Sequence, residues 1–484
     1  MPNRVYRLGM IGRTTRQASL FYFAFAKEAA AITDELLDPL DELLNDRPLI
    51  DLASQALAKR SARSADFGRP SIAPDRLVRS LTLKHLKGWS FRQLERELRA
   101  SLLYRRFTRF YEDPIPDFSS FSRTFGLFGK EETARLHARV VQIAQDQSVA
   151  QGQRLRTDTT AVETNIHYPT DSSLLADGIR VLTRGLKRIS AACEAGALEV
   201  VDHQRAAKRR VLEICRAAKT LSEAGREKLK HSYGKLIALT RGLTRQTTQV
   251  IGELKAGKLV AQADMLLAVL QAEAQLRHFL PLTQKVIAQA RARVFEGQTH
   301  YPDKILSLFE EHTVVIRKGK AHKPNEFGRL VRIDEVENGI VSNYYIAPNN
   351  MADQQQWKPA LEGHKQIFDR APHLATADRG FWSAANEALA QELGVKRTAL
   401  PGRGRLSQQR AARQKERWFR RGQGWRAGIE GRISTLKHRF GMLRAHYKGE
   451  VGFERYVGAC VVAQNLVAIV RNKRDNTKQS CRSG

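Results

Sequence analysis

Three carboxylates in this chain occupy settings from which a side chain can do chemistry. Asp158 closes a short strand-like run, Arg-Leu-Arg-Thr-Asp, among β-branched threonines, and Asp378 closes a second such run, Leu-Ala-Thr-Ala-Asp. Glu430 lies in a run with helical spacing, where Arg426 is its neighbour one turn earlier. One acid at a strand end is more often a turn former or a helix cap. The chemical interpretation therefore depends on all three acids together.

The charge around the third acid indicates what the acids would act on. Between Lys396 and Lys448 there are sixteen Lys and Arg residues but only two acids, Glu416 and Glu430. Phosphoryl transfer on a nucleic-acid backbone commonly uses two Mg²⁺ ions about 4 Å apart, and Mg²⁺ prefers oxygen ligands. Three acids on rigid elements within a basic channel meet that requirement. An acid/base pair of the glycosidase type is the competing use of carboxylates, but the positive surroundings favour a polyanionic substrate.

The composition of the whole chain agrees with such a substrate. Its 484 residues predict about three domains, and 42% hydrophobic with 27% charged residues describe a globular protein. The net charge is +31 and the isoelectric point is near 10.3. Nucleic acid is the commonest partner of so basic a protein, although a membrane surface or a ribosome contact would give a similar value.

Cysteine usage and hydropathy bear on the cellular setting. No cysteine pair has C-x-x-C spacing or a metal-ligand spacing with histidine, so we expect reduced thiols and no structural zinc. The most apolar late run, Val457 to Val470, is too short to span a bilayer. We therefore expect a cytoplasmic protein, associated with the nucleoid if its source is bacterial, with no membrane partner. The cysteines are Cys193, Cys215, Cys460 and Cys481.

The N-terminal part has the outline of a helix-turn-helix. Pro74 to Leu86 predicts one helix, a glycine-containing turn follows, and Ser90 to Leu98 predicts a second helix that opens with a capping box. Arg92 and Arg96 on the second helix are candidates for DNA phosphate contacts. A solvated basic face without a ligand is the alternative. A further helix is predicted from Asp117 towards Gln147.

The remaining elements are a helical stretch and then strands. Residues 176 to 280 contain no proline and predict two or three long antiparallel helices. From His312 the period changes to short β-rich runs, with a hairpin turn at Glu337-Asn338-Gly339. The strand that ends at Asp378 is followed by a glycine turn and another helix.

At these residues the chain resembles the DDE transposases of bacterial insertion sequences. Asp158, Asp378 and Glu430 match the three acids of that family, and Glu430 stands within the Arg-x3-Glu-x6-Lys spacing formed with Arg426 and Lys437. A glutamine stands three residues before Arg426, where the fuller signature has a tyrosine. The segment 69–123 resembles the N-terminal helical domain of these enzymes.

The resemblance implies an α/β fold. We expect an RNase H-like mixed β-sheet core flanked by helices, an all-α N-terminal domain, and a long helical insertion between the first and second acids. The predicted divisions are an N-terminal helical region and linker (1–68), a helix-turn-helix-like DNA-binding domain (69–150), a catalytic domain (151–470) with its insertion at about 176–300, and a disordered basic tail (471–484).

The resemblance also implies a reaction. We expect a transposase that binds the terminal inverted repeats of an insertion sequence, cleaves the backbone at the ends and joins the 3′-hydroxyls to target DNA, as a dimer or higher oligomer on DNA. Two Mg²⁺ ions, or Mn²⁺ in their place, would be held by the three acids. Arg426, Lys437 and Arg432 would contact DNA phosphates, and Trp425 would stack on an unpaired base, although a tryptophan is more often a core residue. The alternatives are an RNase H-like nuclease or resolvase, and a non-catalytic DNA-binding regulator derived from a transposase.

Overall fold

The computed structural model describes residues 27–28, 31–60, 71–194, 196–220, 222–317 and 324–483, with backbone alone from 476 onward. The chain divides into two compact units. The first combines Met1–Asn165 with Val314–Gly484, and the second is Ile166–Thr313. The second unit extends beyond the predicted insertion at both ends, and the N-terminal helices group with the sheet. Residues 1–26 and 61–68 of the predicted N-terminal helical region and linker lie outside the described residues.

Helices precede the sheet in the first unit. Those described are α1 (Leu37–Leu43), α2 (Arg47–Ala58), α3 (Pro74–Leu86), α4 (Phe91–Ala100), α5 (Leu102–Phe107), α6 (Phe118–Phe125) and α7 (Lys130–Asp146). The helix predicted from Asp117 towards Gln147 is therefore two helices. The break falls at Gly126–Gly129, where the two glycines weaken helix propensity.

The two helices predicted on either side of the glycine turn are present as α3 and α4. Gly88 has a φ of +65° between the helices, which explains the glycine. Ser90 Oγ accepts a hydrogen bond from the Gln93 amide (3.2 Å), and the Gln93 side chain accepts one from the Ser90 amide (2.8 Å), which is the predicted capping box. Most of α3 is buried, whereas α4 buries only Leu94 and Leu98. The exposed face of this pair therefore belongs to α4.

The second unit is helical. Its helices are α8 (Asp171–Ala192), α9 (Gln204–Ala217), α10 (Glu223–Lys255) and α11 (Leu266–Phe295), which pack around an aliphatic core of their own. Two or three helices were expected, and four are found among the described residues. A break near Lys219 to Ser222 was expected, and the extra helix arises because α8 and α9 are also separate, with no proline between Ala192 and Gln204 to mark that break.

One mixed sheet forms the centre of the first unit. Its strands are β1 (Arg154–Thr164), β2 (Val314–Arg317), β3 (Asn325–Glu335), β4 (Val341–Ile346), β5 (Leu374–Thr376), β6 (Arg397–Ala399) and β7 (Arg444–Ala445). The order is β2-β3-β1-β5-β6, with β4 also paired to β3 and β7 to β1. β3 is antiparallel to β1, and β5 and β6 are parallel to it. This sheet and its flanking helices confirm the predicted RNase H-like α/β fold.

Helices of the C-terminal half flank the sheet. They are α12 (Asp353–Phe368), α13 (Ala384–Glu392), α14 (Gln408–Lys415), α15 (Arg417–His438) and α16 (Gly449–Ser483). The apolar part of α16, Gly449–Asp475, is long enough to cross a membrane, but 78% of its most apolar window is buried inside the protein, as in a core helix. The backbone of α16 continues to Ser483, and the disorder of the basic tail 471–484 stays a prediction.

Candidate active site

The first two acids lie on neighbouring parallel strands. β1 and β5 pair in register from Arg154 opposite Leu374 to Arg156 opposite Thr376. Asp158 and Asp378 each come two residues after the last of these pairs, so both lie at the same edge of the β1–β5 pairing, about one strand spacing of 4.8 Å apart in backbone position. Asp378 follows the end of β5 as predicted, whereas Asp158 lies within β1, which continues to Thr164 because it stays paired with β3. Both side chains are half-buried.

Local hydrogen bonds orient both carboxylates. Asp158 Oδ1 accepts from the Thr159 amide at 2.7 Å. Asp378 Oδ1 accepts from the Gly380 amide at 2.6 Å and caps a short 3₁₀ turn at Arg379–Phe381. A Cβ at residue 380 would stand 2.7 Å from that same oxygen, so a larger residue there would displace the carboxylate.

The third acid lies on α15, which crosses β1, β5 and β6. Arg426 links it to the first: its Nη1 is 3.9 Å from Asp158 Oδ2, and its Nη2 is 3.3 Å from Glu430 Oε1. Only 18% of the Asp158 side chain is exposed, against 67% for Glu430. Lys437 lies seven residues after Glu430, two helical turns away on the same face. One guanidinium therefore bridges an acid of the sheet and an acid of the helix.

A buried ion network holds α15 against the sheet. Glu335, at the end of β3, is fully buried and accepts from Arg156 Nε and Nη2 at 3.0 and 2.7 Å. Arg432 of α15 donates its Nε to the same carboxylate at 3.1 Å. Arg156 also donates to the Trp425 carbonyl. These bonds set where the Arg426 and Glu430 side chains lie relative to β1.

The glutamine at the signature's tyrosine position has a structural contact. Gln423 Nε2 donates to Thr376 Oγ1 at 3.0 Å and to the Ala399 carbonyl at 2.6 Å. Those partners end β5 and β6, the two strands that follow β1 in the sheet order. Gln423 therefore fastens α15 to the strand pair that delivers Asp378.

A fourth acid at this edge was missed by sequence reasoning. Asp353, the first residue of α12, accepts from Thr159 Oγ1 at 2.9 Å. A Cβ placed on Gly380 would lie 2.7 Å from Asp353 Oδ2 and 2.7 Å from Asp378 Oδ1. These two carboxylate oxygens are therefore at most twice that distance apart. The available signal was topological: α12 follows β4, which runs parallel to β1, so the helix starts at the edge where the strands end.

Two transposase family models match parts of this chain. A transposase domain model (DUF772) matches residues 26–126, and a transposase DDE domain model matches residues 333–466. The chain belongs to the DDE transposases of insertion-sequence type. The matched DDE segment of the transposase contains Asp378 and Glu430, while Asp158 lies before it. No curated protein and no solved structure matches the chain.

The donor atoms of the transposase suit a hard divalent ion, but the carboxylates do not converge on one point. Asp158, Asp378 and Glu430 offer only oxygen, the ligand type that Mg²⁺ prefers. Within the ranges that the structure describes, no three Asp, Glu, His or Cys side chains are close enough to hold a metal ion. The metal site in these acids therefore stays a prediction that their chemistry supports.

Two of the predicted DNA contacts on α15 have protein partners. Arg432 donates to buried Glu335, so its guanidinium fastens the helix to the sheet. The Trp425 ring faces the guanidinium carbons of Arg156 at 4.8 Å and Arg154 at 5.5 Å. Both residues have structural contacts, and their binding to DNA stays a prediction.

The basic residues of α4 lie at the surface. Arg92 sits over the Phe118 ring at 3.8 Å, and Arg96 pairs with Glu97 at 2.7 Å while remaining 72% exposed. Surface ion pairs of this kind are weak, so Arg96 can exchange Glu97 for a phosphate. The basic residues of α4 thus face solvent, and their contact with DNA stays a prediction.

Proposed function

We propose that this transposase binds the terminal inverted repeats of an insertion sequence, cleaves the DNA backbone at each end and joins the freed 3′-hydroxyls to target DNA. The observation that carries the proposal is the placement of Asp158 and Asp378 on adjacent parallel strands, with Glu430 linked to Asp158 through Arg426. A site for phosphodiester chemistry needs acids and a phosphate-binding cation side by side.

The acids and the cations have separate tasks. Asp158, Asp378 and Glu430 would hold two Mg²⁺ ions, which when bound activate the attacking oxygen and stabilise the leaving oxygen. Arg426 balances two of the carboxylates, and its guanidinium can bind a DNA phosphate brought to them. Lys437, on the same face of α15, would extend that contact along the backbone.

End recognition is assigned to the helix-turn-helix. Arg92 and Arg96 on the exposed face of α4 would contact DNA phosphates and so fix the register of the terminal repeat. Holding two ends together needs two such domains, so we infer a dimer or larger assembly on DNA. DNA as substrate places the activity at the nucleoid.

The test is cleavage of a labelled duplex that carries the terminal repeat found beside the gene. Asp158→Asn, Asp378→Asn and Glu430→Gln should each lower Mg²⁺-dependent cleavage by on the order of 100- to 1,000-fold or more, while binding of the duplex persists. Asp51→Asn, which alters an exposed ion pair far along the sequence, is the matched control. Near-normal cleavage by Glu430→Gln would remove that residue from the site.

The same substrates separate the alternatives. A nuclease or resolvase would cut but would not join a pre-cleaved end to a second DNA, so strand transfer of that end supports the transposase reaction. A regulator would bind the repeat without any metal-dependent cleavage. Asn and Gln keep the size of the original side chains, so a folded but inactive variant is the expected product.

A further inference from the structure

A second basic cleft lies at the opposite edge of the sheet from the acids. The first residues of three parallel strands, Arg154, Leu374 and Arg397, stand in one register row there. Together with the start of α15 they line a cleft of about 560 Å³. Its walls carry four arginines and two tryptophans: Arg154, Arg397, Arg417, Arg421, Trp418 and Trp425.

The arginines of this cleft have no acidic partner within the part of the chain that the structure describes. Among the residues that the structure describes, none of the four forms an ion pair, whereas Arg156, one pleat further along β1, is bound to Glu335. The lining includes one acid, Glu416, which accepts a hydrogen bond from the Trp418 indole. The cleft therefore holds excess positive charge, which favours a ligand with several negative charges.

Both tryptophans are partly exposed and are flanked by guanidinium groups. The Trp418 ring lies 5.6 Å from the guanidinium carbon of Arg397 and 5.7 Å from that of Arg413. The Trp425 ring has Arg154 at 5.5 Å. An indole beside an arginine can stack on a nucleic-acid base while the cation binds the adjacent phosphate. Only an unpaired strand exposes its bases in this way.

The cleft and Asp158 lie on the same face of the sheet, at different positions along β1. Arg154 and Asp158 are four residues apart, an even number, so their side chains project from the same face of the sheet. At 3.3 Å per residue their separation along the strand is roughly 13 Å. That is about four stacked nucleotides at 3.4 Å each.

We propose that this cleft binds single-stranded DNA, namely the unpaired segment that continues from the reacting phosphate about four nucleotides away. The inference rests on the proposed function for the identity of that strand. The cleft's charge and aromatic rings stand independently of it. Trp425 was predicted to stack on an unpaired base, and in the cleft it would stack on a base at the edge of the sheet opposite the acids.

Equilibrium binding of the full-length protein to DNA tests the proposal. Fluorescence anisotropy would compare a short unpaired oligonucleotide with a blunt duplex of the same sequence, in EDTA so that no cleavage occurs. Arg397→Ala combined with Arg421→Ala should weaken single-strand binding at least tenfold and lower the slope of log affinity against log salt by about 1.4, since each phosphate contact contributes about 0.7. Duplex binding should change less than threefold.

Control variants make the outcome specific. Arg47→Ala removes an exposed arginine on α2 and should leave both affinities unchanged. Trp418→Phe should reduce the quenching of tryptophan fluorescence by the oligonucleotide, with unchanged circular dichroism showing that the fold persists. Equal losses for single strand and duplex, or no loss for either, would overturn the proposal.

Failure of the cleft and failure of the proposed function are distinguishable. If the double arginine variant binds unpaired DNA normally while Asp378→Asn abolishes cleavage, the proposed role of the cleft is refuted and the proposed reaction is supported. If the double variant loses single-strand binding while Asp378→Asn still cleaves, the cleft stands and the proposed active site falls.

Discussion

Replacing Glu335 by glutamine should loosen the helix that carries Glu430. The Glu335 carboxylate is fully buried and is shared by Arg156 of β1 and Arg432 of α15. Glutamine has nearly the same shape but removes the negative charge, so two guanidinium groups then face one neutral amide. The loss of this charge weakens the ion pair between Arg432 and Glu335 that holds α15 against the sheet.

The size of the effect follows from how each arginine is exposed. Removing one partner of a buried ion pair costs about 3–5 kcal/mol because the other charge is left uncompensated. Arg156 is 10% exposed and cannot reach water readily, whereas Arg432 is 23% exposed and can turn outward. We therefore expect Glu335→Gln to lower the free energy of unfolding by about 3 kcal/mol, the lower end of that range.

Catalysis should also suffer, since the network sets the position of Arg426 and Glu430. A displacement of about 1 Å at a reacting group can lower a rate by about 100-fold. Glu335→Gln should accordingly reduce the cleavage rate by roughly 10- to 100-fold, with duplex binding through α4 unchanged.

Urea denaturation followed by tryptophan fluorescence measures the stability change. All five tryptophans of the chain belong to the unit that contains the sheet, so their signal reports the unfolding of that unit. Asp51→Asn breaks the exposed pair with Arg47 and should cost less than about 1 kcal/mol. A loss below about 1 kcal/mol for Glu335→Gln, together with full cleavage, would refute the role given to this network.

Three other variants test buried or neighbouring charges. Burial lowers the pKa of His137 to about 4 from 6.5, so the unfolded chain binds the proton more tightly than the folded protein. The free energy of unfolding therefore falls as pH drops from about 6.5 to 4, by roughly 2 kcal/mol at pH 5. His137→Gln should flatten this loss of stability at acid pH in urea titrations, and an unchanged pH dependence would contradict the prediction. Burial lowers the pKa of Lys84 to about 8 from 10.5, so stability rises with pH between these values. Lys84→Met should then raise the unfolding free energy at pH 7 by on the order of 1–3 kcal/mol, and a less stable variant at pH 7 would argue against that assignment. Asp353→Asn should lower the cleavage rate roughly tenfold or more without changing DNA affinity or melting temperature, whereas wild-type cleavage would leave Asp353 with a local role at Thr159.

Local patterns explain what could be predicted from the sequence. The capping box at Ser90 needs only two residues three apart, and the hairpin at Asn338-Gly339 needs two residues that tolerate positive φ, which they have at +56° and +78°. Asp158 and Asp378 could be paired as candidates because each ends a short apolar or hydroxylated run. Such signals lie within a few residues of one another.

Contacts made over long sequence separations could not be predicted in this way. In the sequence Glu335 is one charged residue near a predicted hairpin. Its structural role depends on ion pairs with Arg156 and Arg432, which lie far before and far after it in the sequence. Asp353 likewise has the ordinary appearance of an acid in a first helical turn. Its contact with Thr159 depends on where the sheet places α12.

The position of the insertion explains how such a long segment leaves the site intact. β1 ends and β2 begins on either side of a single residue of β3: Glu163 and Val314 both pair with Gly328. The chain therefore leaves and re-enters the sheet about two strand spacings apart, roughly 10 Å. Because the entropy of closing a loop grows only slowly with its length, a whole helical unit can replace a short connection there. The register that sets Asp158 beside Asp378 is fixed by β3 and β5, which the insertion does not interrupt.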